Sequence, residues 1–370
     1  MRFQLLQYFL VFGFISIGLA SSSRLQYDSI FNFGDSISDT GNYLLTGAAA
    51  FPVIQTLPYG ETFFGHPTGR CSDGRLIIDF IAEASGLPLL PPYLGLEKGQ
   101  SCTRGVNFAV AGATALDTSF FYSKNLGPAL WTNYSLNTQP GWFHQLKPSL
   151  CSSKQECDIY FKKSLFMVGE IGGNDYNFPL FYGGKIDQVR PMVPLVVEAI
   201  ANATAVLIEE GAVELVVPGN LPIGCNAVYL TLFQSPNKTD YDENGCLKLY
   251  NAFSKYHNNQ LKKALNLQRQ KYPHARIIYA DYYGSAKPFF HAPKHHGFLD
   301  GSLIACCGGG GLYNFNKSLS CGQPGTTISN NPRTYANWDG VHLTEGAYRL
   351  IASGLIDGRF STPPLRTTPL

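Results

Sequence analysis

The chain has 370 residues, a formal net charge of +2 and 45% hydrophobic residues. That apolar content supplies a sizeable core and excludes global disorder. No dense Lys/Arg run forms the electrostatic footprint of a nucleic-acid binder, so nucleic acid is not expected as a partner. The length is generous for one domain but is reached by α/β domains with long loops.

From the N-terminus, Arg2 precedes an apolar stretch from Leu5 to Ala20 that ends in the small residues Gly18 and Ala20. The pattern predicts a secretory signal peptide over residues 1–20, with cleavage near 20–23. A membrane anchor is the rival reading, but the stretch is short of the ~20 residues a span needs. No later segment reads as apolar enough to cross a bilayer, so no stable membrane association is expected after cleavage. The route leads to the extracellular space (the apoplast in a plant), with the vacuole as a second destination.

Export agrees with the nine cysteines, most of which an oxidising compartment would pair. Cys151 with Cys157, Cys225 with Cys246, and Cys307 with Cys321 form local loops that suit bridges, and at least one thiol is left over. Asn133, Asn202, Asn237 and Asn316 each head an N-x-S/T sequon and are candidate surface glycan sites.

Short apolar runs bounded by Gly, Pro or Asp occur at 29–33, 106–110, 165–168, 213–217 and 276–280. Such runs suit buried parallel strands. Helical periodicity separates them: Val193, Val196, Ile200, Ala203 and Leu207, stopped by Gly211, and then Leu247, Tyr250, Phe253, His257 and Leu261. The alternation predicts a doubly wound sheet with helices on both faces. A single domain is expected over 21–360, with a frayed, disordered Pro/Thr-rich tail at 361–370. The run from Gly308 to Gly311 lacks the context of a phosphate loop and reads as a disulfide-pinned turn.

Chemistry-bearing residues fall in four segments. Ser36, in Phe31-Asn-Phe-Gly-Asp-Ser-Ile-Ser-Asp-Thr-Gly-Asn42, follows the first strand at the end where open α/β sheets place ligands. A hydroxyl there can attack a carbonyl if a base takes its proton, although a serine after a strand is by itself ordinarily a helix cap. In Trp338-Asp-Gly-Val-His342, Asp339 can hold one imidazole nitrogen of His342 and leave the other to accept that proton. Gly112, in the segment from Gly105 to Ala113, can bring a backbone N–H close to a reacting oxygen. Asn174, in the segment from Gly169 to Asp175, can add its amide N–H. With the Ser36 N–H these make an oxyanion hole. Asp35 and Asp175, beside these residues, read as turn and hydrogen-bond residues. The aromatics Phe120, Phe121, Tyr122, Trp131 and Trp142 are candidates either for a substrate pocket or for core packing. His291, His295 and His296 cluster in one stretch, but without metal-ligand spacing they read as a solvated loop, and no metal is expected.

Taken in this order, the four segments resemble the GDSL, or SGNH, hydrolases, whose initials match Ser36, Gly112, Asn174 and His342; Ile37 replaces the usual leucine. The resemblance runs from about Ser29 to Phe360. It implies a flavodoxin-like three-layer α/β/α sandwich with a mostly parallel sheet and no cofactor. It also implies Ser36 as nucleophile, His342 as base and Asp339 as its orienter, acting on a small-molecule ester. The segments Pro58-Tyr-Gly-Glu-Thr-Phe63, Pro67 to Asp79 and Val106 to Leu116 are similar to plant secreted members, in the branch holding acetylajmalan esterase and sinapine esterase. That likeness implies deacylation, of acetyl or hydroxycinnamoyl esters, on specialised metabolites; the protein itself is expected to be a monomer. The rivals are an acyltransferase using the same triad and a catalytically silent cell-wall binding protein.

Overall fold

The computed structural model describes residues 24–368. The signal-peptide reading of residues 1–20, and its cleavage region to 23, lies outside the described residues.

Five short apolar runs form the parallel part of a central sheet: β1 (Ser29–Phe33), β2 (Gly105–Asn107), β3 (Ser164–Val168), β4 (Glu214–Pro218) and β5 (Arg276–Ala280). Nearly every residue in them is buried, as expected of strands covered on both faces. The spatial order is β2-β1-β3-β4-β5, with the antiparallel edge strand β6 (Ser361–Thr362) beside β5. Register is continuous, with Phe31 opposite both Val106 and Phe166, and Val216 opposite Ile278.

Side-chain alternation divides the core in two. Phe31, Phe33, Phe166, Val168, Leu215 and Ile277 face helices α3 (Val193–Glu209) and α4 (Lys248–Lys271). Ile30, Leu165, Met167, Val216 and Ile278 face α1 (Ile77–Ala84), α5 (Tyr282–His291) and α6 (Glu345–Ile356). The result is a three-layer α/β/α sandwich with a mostly parallel sheet.

Two expectations are corrected. The tail, read as frayed from 361 on, is paired: Ser361 and Thr362 join β5, Leu365 is buried, and residues 367–368 pair antiparallel with 24–25. Tertiary partners override the Pro/Thr composition there. The second concerns hydropathy, because the helical stretch Ile186–Glu209 is long and apolar enough to span a bilayer by composition. Most of its apolar side chains instead pack inside the protein, with Val193, Val196, Ile200 and Leu207 buried on the core face of α3, while Leu195 and Val206 are exposed.

Three disulfides form, Cys151–Cys157, Cys225–Cys246 and Cys307–Cys321, matching the local pairs suggested by spacing. Cys71, Cys102 and Cys306 are free and buried. The glycine run lies against the Cys307–Cys321 bridge, where Gly308 pairs with Thr327.

Candidate active site

The strand order reverses at β1, whose neighbours β2 and β3 lie on opposite sides, and the crevice beyond the carboxyl ends of β1 and β3 is the usual ligand position in such sheets. Ser36 lies in the turn leaving β1, Glu170 to Gly172 in the turn leaving β3, Asn174 in the first turn of the helix Gly173–Phe181 that follows, and Gly112 in the loop leaving β2. Asp339 and His342 arrive from the turn preceding α6, which Thr344 caps through its hydroxyl on the Ala347 N–H.

The side chains meet. His342 Nε2 lies 2.9 Å from Ser36 Oγ, and His342 Nδ1 lies 2.7 Å from Asp339 Oδ2. The turn itself orients the carboxylate, because Asp339 Oδ1 accepts the backbone N–H groups of Val341 (3.0 Å) and His342 (2.8 Å). Ser36, Asp339 and His342 are 6%, 8% and 1% exposed, so the chain of hydrogen bonds works largely out of water. Burial disfavours a charged imidazole, yet the Asp339 charge outweighs it, so the proton affinity of His342 stands well above that of an ordinary histidine. The Cys71 thiol also touches the ring, but burial pushes that thiol up and keeps it neutral. Asp339 is opposed by burial too, yet the facing His342 holds it below the usual carboxylate range.

Three buried carboxylates tie the loops into one frame. Asp39 accepts from Gly41 and Asn42 on one oxygen and from Tyr43 and Ala111 on the other, at 2.7–2.9 Å, so it fixes the residue next to Gly112. Asp175 accepts from Ala115 (2.7 Å) and Leu116 (2.9 Å), which locks the same loop to the Asn174 turn. Asp35 accepts the Ile37 N–H at 3.0 Å. Desolvation raises all three, Asp39 to about 6 and Asp35 and Asp175 to about 7, and it lifts Glu170, which faces Asp35, well above the carboxylate range. Gln139 completes the frame by clamping Gly34 from both sides, accepting its N–H at 2.8 Å and donating to its carbonyl at 2.9 Å.

The Ser36 and Gly112 N–H groups have no acceptor among the described residues. Gly112 has φ +80°, and a Cβ there would sit 2.4 Å from Trp131 Cβ, so glycine is required on both counts. Asn174 is brought to the same place, but its amide already donates to Asp35 Oδ2 (3.2 Å) and to the Ala113 carbonyl (3.0 Å).

A pocket of ≈480 Å³ opens over Ser36, walled by Phe51, Trp131, Phe178, Phe181, Tyr182 and Phe315. Of the aromatics singled out in the sequence only Trp131 lines it. Phe121 is core, Trp142 stacks on Tyr93 (5.2 Å), and Phe120 lies along a different groove. Lys317 stands on the wall and donates to the Phe181 carbonyl at 2.6 Å. Among the described residues no group of three His, Cys, Asp or Glu side chains is gathered for a metal, and His291 in the histidine stretch faces Asn244 instead. Sequence reading missed Tyr59, whose hydroxyl donates to Asp339 Oδ2 at 2.9 Å, and Gln139; Tyr59 lay inside a quoted segment without a role.

Known proteins resemble the chain over most of its length. The family model described as GDSL-like Lipase/Acylhydrolase matches residues 30–355. A GDSL esterase/lipase of Arabidopsis thaliana is 57% identical over 92% of this chain and 92% of its own length. The sinapine esterase of Brassica napus is 48% identical over 97% of this chain and 93% of its own. A further Arabidopsis GDSL esterase/lipase is 49% identical over 92% of this chain and 84% of its own.

Proposed function

The chain belongs to the GDSL-like lipase/acylhydrolase family and is a carboxylic ester hydrolase, and from that premise we propose that Ser36, His342 and Asp339 carry the reaction. Ser36 Oγ attacks the ester carbonyl while His342 Nε2 takes its proton, and Asp339 holds the imidazole in the tautomer this requires. The oxygen of the tetrahedral intermediate is received by the Ser36 and Gly112 N–H groups and by Asn174. The 3.2 Å contact of Asn174 to Asp35 is the weaker of its two and is the one the oxyanion displaces. His342 returns the proton to the leaving alcohol, and water then releases the acid by the reverse sequence. The observation that carries this reading is the continuous 2.9 and 2.7 Å chain from Ser36 to Asp339 at the floor of the pocket.

The proposed substrates are acetyl or hydroxycinnamoyl esters of plant specialised metabolites. The aromatic walls suit a rigid ring system, and one relative is named for its action on sinapine. The enzyme works as a secreted, glycosylated, monomeric single-domain hydrolase in the apoplast or vacuole. Three disulfides support this, as does the exposure of all four sequon asparagines, Asn133, Asn202, Asn237 and Asn316. The test is kcat/KM for an acetylated bulky alcohol, a hydroxycinnamoyl ester and a long-chain acyl ester. Preference for either of the first two is expected. Preference for the long chain, growing above its solubility limit, would overturn the substrate reading.

A further inference from the structure

The carboxylate that orients His342 accepts four hydrogen bonds, as many as its lone pairs allow. Three come from its own turn: the N–H groups of Val341 and His342 on Oδ1, and His342 Nδ1 on Oδ2. The fourth comes from Tyr59, 280 residues away in sequence, whose hydroxyl lies 2.9 Å from Oδ2, the oxygen that also holds the imidazole. Tyr59 is 0% exposed, and its ring is wedged edge-on against Phe51 (5.9 Å) and Trp338 (5.8 Å). Burial, and then the charge of Asp339, push its hydroxyl well above an ordinary phenol, so it stays protonated and is always the donor.

We infer that Tyr59 is a positioning residue that sets the basicity of His342 by sharing Asp339 Oδ2 with it. This rests on the roles proposed above for Asp339 and His342. A general base must be neutral to accept a proton. A buried carboxylate facing a single imidazole over-stabilises the imidazolium, which keeps the base occupied at neutral pH. A second donor on the same oxygen draws off part of that charge and also stops the carboxylate rotating out of line with Nδ1. The local turn cannot supply this donor, because both of its N–H groups go to Oδ1. The other titratable groups facing the pair are the Cys71 thiol against the ring and Asp35 and Glu170 within electrostatic reach, with Asp39 and Tyr348 farther out. None of them donates to Asp339 Oδ2.

The test is the pH profile of kcat/KM for a soluble ester, which reports the free enzyme's base. Tyr59→Phe keeps the ring and removes only the donor. Its acid limb is expected to move to higher pH by about one unit, the order of a hydrogen bond to an ionised group. Placing 3,5-difluorotyrosine at position 59, a stronger donor, is expected to move the limb to lower pH. Structural damage lowers kcat without shifting the limb and cannot give opposite signs. Limbs that stay at the wild-type position in both proteins, or that move the same way, would overturn the role of Tyr59. Failure of the underlying triad is read separately: Ser36→Ala and His342→Ala hydrolysing the ester at the wild-type rate would remove the triad itself.

Discussion

The two ends of the central sheet both bury carboxylates, and they neutralise them in opposite ways. At the carboxyl ends of the strands, Asp35, Asp39 and Asp175 are held by backbone N–H groups and meet no guanidinium or ammonium. Desolvation therefore wins, and they retain protons up to about pH 6 to 7. At the other end Glu214, opening β4, is 1% exposed and faces Arg276 at 2.6 Å, together with Arg366 and the Tyr27 hydroxyl. Arg366 and Tyr27 thereby hold the tail and the segment before β1 against the sheet. One end uses carboxylates to aim loops, leaving the few N–H groups beside Ser36 unspent. The other end uses a paired carboxylate to hold the chain together. The ion pairs of Glu214 thus lie away from the pocket, and the desolvated carboxylates lie around it.

Exchanging side chains should lower activity at one end only. The largest effect is expected at the pocket end, where Asn174→Ala should lower kcat by about two to three powers of ten, the usual cost of one oxyanion donor, while the loss of its bonds to Asp35 and the Ala113 carbonyl lowers stability by roughly 1–3 kcal/mol. Near-wild-type turnover would remove Asn174 from the site. At the other end, Arg276→Gln leaves Glu214 short of one charged partner and should cost roughly 1–3 kcal/mol by denaturant titration, with kcat intact at permissive temperature. A loss of kcat without a loss of stability would erase the distinction drawn between the ends.

The smallest effect is in pH. In the unfolded chain Asp35, Asp39 and Asp175 ionise near pH ~4, but in the folded protein they hold protons to about 6 or 7. Folding takes up protons in that interval, so stability falls as pH rises through the folded values. His257, depressed to about 3 by burial, acts in the opposite sense, but only below its unfolded value near ~6.5. His342, raised in the folded state, adds to the fall. Between about pH 6.5 and 8 the Tm should therefore drop by about 2–4 °C. A Tm rising across that window would contradict the desolvated state of the acidic cluster.

How much of this was legible in the sequence depended on range. Buried strands announce themselves as short apolar runs, so 29–33 and 276–280 were read to the residue. The run at 106–110 is regular strand only to Asn107, where the Asn107 side chain takes the Ala109 N–H, but Phe108 and Val110 go on donating to the Asn32 and Gly34 carbonyls, so the apolar run reports its full path beside β1. Ser36, Gly112, Asn174, Asp339 and His342 could be singled out as candidates because each sits in a segment with its own signature. Contacts between remote segments outside those signatures were not found. No local pattern ties Tyr59 to Asp339, or Arg366 to Glu214, and apart from Trp131 the aromatic pocket walls come from Phe51, Phe178, Phe181, Tyr182 and Phe315 rather than from the aromatic-rich stretch after Asp117. The apolar content of the helical stretch at 186–209 reports burial in a core as well as it would report a membrane.

The central claim is that Ser36 is the nucleophile of an ester hydrolase, and trapping tests it most directly. The purified enzyme would be treated with an activated alkylphosphonate ester, which forms a stable covalent mimic of the tetrahedral intermediate on the attacking oxygen, and then digested for peptide mass spectrometry. A single adduct on Ser36, formed in step with the loss of esterase activity and absent from Ser36→Ala, is the expected result. Full inactivation with the adduct on another residue, or continued hydrolysis with Ser36 fully labelled, would contradict it.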